Sequence, residues 1–442
     1  MHLWVNQHQR DQRLPKATHG QGCEIFDDQG RRYLDGSGGP ALFSLGYSHP
    51  EVNAAITEQL SKVQFGYSTT FTSDAIDGLA EIIAEEAGPE LKYTSFVSGG
   101  SEATETAIKV ALQYHAAKGN PGRIHFIARR QSWHGYTLGA LSISGHMARR
   151  RPFENVLIPA TFVSPANEYR PPHGVSRKGL TDYLAQELEE AILRIGPGKV
   201  AAFIFEPVVG ASGGAVPCPP GYAQKVREIC DRYGVLMIAD EVMCGIGRCG
   251  SWRALALEDG CEPDIMTIAK GMGGGFMPLG ACVYRQGIYE AITDQYGTVS
   301  SVHTYSGHTL ACAAGLAVLN VIRRDGLVEK CRRDGDYLMN ALQKRFSPTP
   351  HVGDIRGRGL FVAIELVEDR ETNQPFAPSK KIAEKVRMKA LEEGLICYPS
   401  SGTIDGINGD HVLLSPPYVV TQSEIDEMVE KLEITFKKLG LC

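Results

Sequence analysis

The sequence predicts an α/β protein: a large domain around a mostly parallel central sheet, joined to a smaller α+β domain built from both termini. Three observations lead there. Runs 200–205, 235–239 and 265–269 are five or six residues long and almost wholly apolar, as strands of a parallel sheet covered on both faces read. Each lies about one helix plus its loops from the next, the spacing of βαβ units. Glycines gather at the junctions, at 36–39, 99–100, 210–214 and 271–275, where the chain must turn sharply.

The other elements follow in chain order. Helical periodicity predicts helices over 51–60, 74–87, 102–117, 180–195 and 222–233, with a strand-like run at 124–128. An apolar helical pattern at 310–322 gives way to dense charge over 323–345, which suggests a boundary near residue 320. Beyond it, strands are expected at 355–366 and 412–414 and helices at 382–393 and 422–439. The expected division is 1–50 as part of the smaller domain, 51–320 as the large domain and 321–442 as the C-terminal part of the smaller one. No internal repeat or low-complexity tract interrupts this order.

Composition narrows the class of function. With 442 residues, 43% hydrophobic and 22% charged, the chain can bury a large core and is no disordered linker. Its 45 basic and 51 acidic residues give a net charge of −6, and the densest basic run is only Arg149-Arg150-Arg151. That run reads as a solvated loop, and nucleic acid is not an expected partner. No apolar run reaches membrane-spanning length, and residues 1–12 are polar where a signal peptide needs an apolar stretch. Eleven cysteines without a Cys-x-x-Cys pair fit reduced thiols in the cytoplasm, and no metal site is expected.

The chemistry gathers at strand ends. The three apolar runs end in Glu206, Asp240-Glu241 and Lys270, and ligands of open α/β sheets sit beyond the carboxyl ends of the strands. An amine at Lys270 has desolvation available to lower its pKa, so that it can attack a carbonyl as a neutral Schiff-base lysine. The bland alternative is a lysine that caps a strand and reaches solvent. A carboxylate at Asp240 is costly unless it faces a cation or several donors. A protonated pyridine nitrogen is such a cation, and this lysine–aspartate pairing is what makes pyridoxal phosphate an electron sink.

Other segments carry weaker signals alone. Ser98-Gly-Gly-Ser-Glu-Ala-Thr-Glu105 opens a helix, where free N–H groups, the dipole, Gly100 and the Ser101 hydroxyl could cradle phosphate; an ordinary N-cap explains it equally. Trp133-His134-Gly135 follows a strand-like run and could place a ring against a cofactor, or merely pack the core. Thr304 could give a hydroxyl to phosphate or belong to a polar turn. Gly210-Ala-Ser212-Gly-Gly214 satisfies the Gly-x-Ser-x-Gly pattern of a serine hydrolase, but the proline-rich residues 215–221 do not start the helix that a nucleophile elbow requires.

These pieces, with Phe205-Glu-Pro207, Asp240-Glu-Val242, Ile268-Ala-Lys-Gly271, the segment 303–311 and the segment 356–360, resemble a class III (subgroup II) aminotransferase of the fold type I pyridoxal-phosphate family over residues 23–421. The resemblance implies that Lys270 holds pyridoxal 5'-phosphate as an internal aldimine and carries the proton, while Asp240 pairs with the pyridine nitrogen. It implies phosphate binding by Gly100 and Ser101, with Thr304 reaching in across a homodimer that shares its active sites. Trp133 and Val242 would cover the two ring faces, with His134 beside them and Glu206 orienting the Asp240 side. Pocket walls would come from both subunits, with Phe43, Tyr67 and Trp133 among them.

The implied reaction is ping-pong transamination between a primary amine or ω-amino acid and a keto acid such as pyruvate. An aminomutase or decarboxylase on the same scaffold is the nearest rival. One departure stands out. Family members that bind an α-carboxylate often carry an arginine in the loop before the last strand, and residues 406–411 contain none. Arg356 and Arg358 lie elsewhere and read as a turn motif of the smaller domain.

Overall fold

The computed structural model describes residues 14–258 and 260–442, so the polar stretch 1–12 lies outside them. Its centre is a seven-stranded sheet. Across it run Leu91–Val97, Gly280–Arg285, Ile265–Ile268, Leu236–Asp240, Val200–Phe205, His125–Arg129 and Ala160–Val163. Gly280–Arg285 is antiparallel to both neighbours, and the other six strands point one way.

The unbroken apolar run in Val200–Phe205 has a simple cause. Phe203 and Phe205 pack beneath the helices Leu180–Ile195 and Tyr222–Tyr233, whereas Ala202 and Ile204 face the helix Gly100–Ala117 on the other side. Alternate side chains thus enter two different cores, and neither face tolerates a polar residue. The expected helices appear within a few residues of their sequence bounds, for example Pro50–Lys62, Asp74–Glu86 and Thr309–Arg324.

The structure gives the charged stretch a shape and corrects one expected strand. The charged stretch after residue 322 is a 20-residue helix, Leu327–Phe346, that buries Leu327, Cys331, Leu338, Leu342 and Phe346 along one face. Its charges are the solvated face of an amphipathic element. The segment 355–366 is a hairpin of Val352–Arg358 and Phe361–Leu366 rather than one strand, with Gly359 at φ +53° in the turn. These strands continue through Asp410–Leu414 to Tyr398–Ser401 in an antiparallel sheet.

Both ends of the chain meet in a third sheet. Ala17–Gln21, Glu24–Asp27 and Arg32–Asp35 form a meander, and Leu395–Ile396 adds to Arg32–Asp35 in parallel. No helix among the described residues is long and apolar enough to cross a membrane.

Candidate active site

Three neighbouring strands deliver Glu206, Asp240 and Lys270 to one rim of the central sheet. Asp240 ends Leu236–Asp240 and lies opposite Thr267 in the parallel register; Lys270 follows Ile265–Ile268 after one residue. Glu206 follows Val200–Phe205 directly. Both acids are buried.

Each carboxylate is fully engaged. Asp240 Oδ2 accepts from His134 Nδ1 at 2.6 Å, and its Oδ1 accepts from Val242 N at 3.0 Å and Thr267 Oγ1 at 3.2 Å. Glu206 Oε1 accepts from Trp133 N at 2.9 Å and Oε2 from Gly210 N at 2.9 Å. One acid therefore holds the Trp133 backbone and the other holds the next ring. His134 is fixed further by its N–H to Ser144 Oγ and its carbonyl to Thr104 Oγ1, and its Nε2 is buried without a partner. In Asp240-Glu241 only the first acid faces this rim: Glu241 receives the N–H groups of Ala254 and Leu255 at 2.7 and 2.8 Å and starts the short helix Ala254–Leu257.

Burial sets the protonation balance. It pushes the Glu206 carboxyl above its usual range, with the His134 interaction opposing and the Asp240 charge adding. It pushes the Lys270 amine down, and the charges of Asp240 and Glu206 offset this only in part. The shift favours the neutral, nucleophilic amine. Lys270 also sits at φ +43°, a left-handed conformation that costs a non-glycine residue on the order of 1–3 kcal/mol and persists where surroundings enforce it.

The enforcement is visible. Gly273 N and Gly274 N both donate to the Lys270 carbonyl at 3.0 Å, and Ser44 Oγ donates to Gly271 O at 3.1 Å. The Phe43 ring occupies the space that a Cβ at Gly275 would need. Phe43 thus packs against the loop that follows Lys270, and Tyr67 is 51% exposed on the surface.

Beside this rim begins the helix Gly100–Ala117, whose first-turn N–H groups have no intrahelical acceptors. A Cβ at Gly100 would lie 2.9 Å from Val242 Cγ1. The glycine is thus needed for packing against Val242, a constraint that the sequence does not display. Ser101 Oγ accepts from Tyr136 N at 3.0 Å, and Gly135, at φ +138°, passes so close that a Cβ there would meet Ser101 Oγ at 2.7 Å.

Gly100, Ser101, Trp133, His134, Glu206, Asp240, Val242 and Lys270 therefore belong to one connected neighbourhood. Thr304 stands apart, exposed on a turn closed by Ser306 N to His303 O. Sequence reasoning missed Thr267, Thr104 and Ser144, which position Asp240 and His134. A threonine inside the otherwise apolar run 265–269 was the available signal for the first.

Two weaker readings fail on geometry. Ser212 lies in the turn between the two-residue strands Val208–Val209 and Val216–Pro217, not between strand and helix, and its buried hydroxyl donates to Gln131 O at 2.8 Å. It is no exposed nucleophile. Arg356 is a buried strand residue rather than part of a turn. It donates to the carbonyls of Gly214 and Gly213 at 2.8 and 2.6 Å and pairs with Glu365 and Asp354 at 2.6 and 2.9 Å, so it is a structural clamp.

Comparison with known proteins shows the family. The family model for class III aminotransferases matches residues 5–436. An uncharacterized aminotransferase of Schizosaccharomyces pombe is 41% identical over 96% of this chain and 92% of its own length. A thermostable (S)-enantioselective omega-transaminase from Thermomicrobium roseum shares the fold with a TM-score of 0.93 at 32% identity, covering 99% of this chain and 96% of that one. An amine transaminase from an uncultivated Pseudomonas species, solved in its PLP-bound internal aldimine form, gives 0.91 at 33% identity over 99% and 98%. With the match running nearly end to end in sequence and in fold, this chain belongs to the class III aminotransferases.

Proposed function

We propose that the protein transfers an amino group from a primary amine or ω-amino acid to a keto acid such as pyruvate, in two half-reactions at one site built around pyridoxal 5'-phosphate. The observation that carries this is the convergence of a desolvated lysine and two buried carboxylates on three adjacent strand ends. Class III aminotransferases depend on pyridoxal phosphate, and the residues here fit it. Lys270 gives an amine whose pKa burial pushes down, Asp240 a buried carboxylate, and the first turn at Gly100 and Ser101 a set of free N–H groups for an anion. Trp133 and Val242 would bracket a flat ring.

When bound, pyridoxal phosphate supplies an aldehyde for the amine and a ring that accepts the electron pair of the amine-bearing carbon. Lys270 Nζ would hold the cofactor and, once freed by substrate, would carry the proton from the amine-bearing carbon. Asp240 would keep the ring nitrogen protonated, and Thr267, Val242 N and His134 hold its carboxylate in place. Glu206 holds the Trp133 backbone.

A homodimer completes the proposal. Tyr67, Phe71, Val302 and Tyr305 expose large apolar surfaces, as a second copy would cover, and Thr304 on the same exposed turn would reach the other copy's phosphate. All eleven cysteines are unpaired and ten are buried, in keeping with a reducing cytoplasm. The reading is tested by adding pyridoxal phosphate and assaying a panel of amines against pyruvate and 2-oxoglutarate. Carbonyl product that exceeds one equivalent per site only with a keto acid present supports it; sustained formation of an isomeric amine or of CO2 without one points to an aminomutase or decarboxylase.

Gly100 offers a sharper check. Gly100→Ala forces a methyl against Val242, and cofactor affinity is expected to fall roughly tenfold, the order of 1.4 kcal/mol. Titration with pyridoxal phosphate measures it. The double variant with Val242→Ala should recover part of the loss by making room; no recovery would show that the glycine matters for another reason.

A further inference from the structure

Arg149, in the basic run that reads as a solvated loop, stands in an unusual position. Its guanidinium carbon lies 4.6 Å from the centroid of the Trp133 ring, over its face, and its side chain makes no hydrogen bond or salt bridge among the described residues. Other arginines in the interior are committed. Arg150 donates from Nη1 to the carbonyls of Leu141, Ser142 and Ser144, Arg248 to those of Leu360 and Pro416, and Arg356 is clamped as described above.

No carboxylate pairs with Arg149 among the described residues either. The loop 402–409 packs against its short helix, Met147–Arg150, with Gly406 so near that a Cβ there would lie 3.1 Å from Ala148 N. The acid of that loop, Asp405, uses its carboxylate on Ile407 N, Asn408 N and Asn408 Nδ2 at 2.8, 2.7 and 2.7 Å. His146 beside it is held neutral, burial and then the Arg149 charge pushing it down to about 4.

Trp133 connects this charge to the site. Its backbone is fixed by Glu206, its neighbour His134 holds Asp240, and its indole carries the guanidinium, with the Tyr136 ring tilted 5.6 Å away. Stacking on an aromatic face orients the planar fork without consuming its five donors. Such a fork matches a carboxylate in geometry and charge. We propose that Arg149 binds the carboxylate of the keto-acid acceptor, supplying from the 147–150 helix the cation that the facing loop 406–411 lacks. This rests on the reading of Trp133 as part of the cofactor pocket.

The test uses the holoenzyme, first aminated with an uncharged primary amine and then mixed with either pyruvate or propanal, which lacks the carboxylate. In Arg149→Gln the half-saturating concentration of pyruvate is expected to rise roughly 10–100-fold, the range for a lost hydrogen bond to a charged group. Propanal should react as in wild type to within about threefold on the same scale. Arg149→Lys should fall between, since an ammonium keeps the charge but not the fork, and its melting temperature guards against a folding defect. Binding of oxamate, an unreactive analogue of pyruvate, read by tryptophan fluorescence, should weaken in parallel.

Equal losses for pyruvate and propanal would overturn the proposal and leave Arg149 a positioning residue for Trp133. Unchanged pyruvate kinetics would overturn it too. If the wild type reacts with neither carbonyl, the pocket reading fails instead, and the oxamate titration still decides whether Arg149 holds a carboxylate.

Discussion

Lys270→Ala is expected to fold, to lose the long-wavelength absorbance of covalently held pyridoxal, and to lose transamination by at least about 10³-fold, since nucleophile and proton carrier disappear together. Little stability should go with them. Burial disfavours the charge of this amine and only the carboxylates of Asp240 and Glu206 favour it, so removing it relieves a desolvation cost as well as an attraction. The backbone at φ +43° is as strained for alanine as for lysine, and the loop is held by Gly273 N, Gly274 N and Ser44 rather than by the amine. A melting temperature within a few degrees of wild type, with alanine formation from pyruvate below detection, is the expected pair of results. Wild-type turnover would remove Lys270 from the chemistry altogether.

Lys270→Arg separates two roles of the same side chain. Arginine puts a fixed cation in the pocket but is not deprotonated in proteins and so is neither nucleophile nor base. Its activity should match that of the alanine variant. Substantial activity would mean that the positive charge, not the exchangeable proton, is what the site needs.

What was legible in the sequence follows from how local each cause is. The strand runs were readable because a buried parallel strand excludes polar residues from both faces, and Val200–Phe205 does so at every position. The rim residues Glu206, Asp240 and Lys270 were readable because charge at the end of such a run is expensive without a purpose. The bonds that bind the site together were not readable. Trp133 N meets Glu206 across 73 residues, and His134 meets Asp240 across 106. Nothing in a local pattern encodes a partner that far away.

The same logic explains the misread segments. Charge over 323–345 hid a helix because only five apolar side chains of Leu327–Phe346 carry its buried face. The hairpin around Gly359 was hidden by the apolar content of both its strands. Arg149 was read as solvated because a cation over an indole looks, in one dimension, like any other cation. Gly100 drew attention for its position at a helix start, yet the contact that makes it obligatory comes from Val242, 142 residues on.

Asp240→Asn tests the electrostatic half of the proposal with almost no change in shape. The aspartate accepts three hydrogen bonds, from His134, Val242 N and Thr267. An asparagine oriented with its oxygen toward Val242 and Thr267 keeps two of them and turns its amide toward His134 Nδ1. The imidazole must then accept there, so its proton moves to Nε2, which is buried without a partner. The variant therefore loses a negative charge and leaves a donor unsatisfied, a cost of about 1–3 kcal/mol to stability. For catalysis the charge matters more. Without it the ring nitrogen is no longer held protonated, and the carbon acid whose proton Lys270 removes becomes weaker. Turnover should fall about 10²–10³-fold, the scale for removing one preorganised charge partner. The phosphate contacts proposed for Gly100 and Ser101 would be untouched, so cofactor affinity should drop less than about tenfold, or 1.4 kcal/mol. Cofactor titration and turnover measured on one preparation separate the two effects. Parallel collapse of both would mean that Asp240 mainly holds the pocket together, and unchanged turnover would mean that another group protonates the ring.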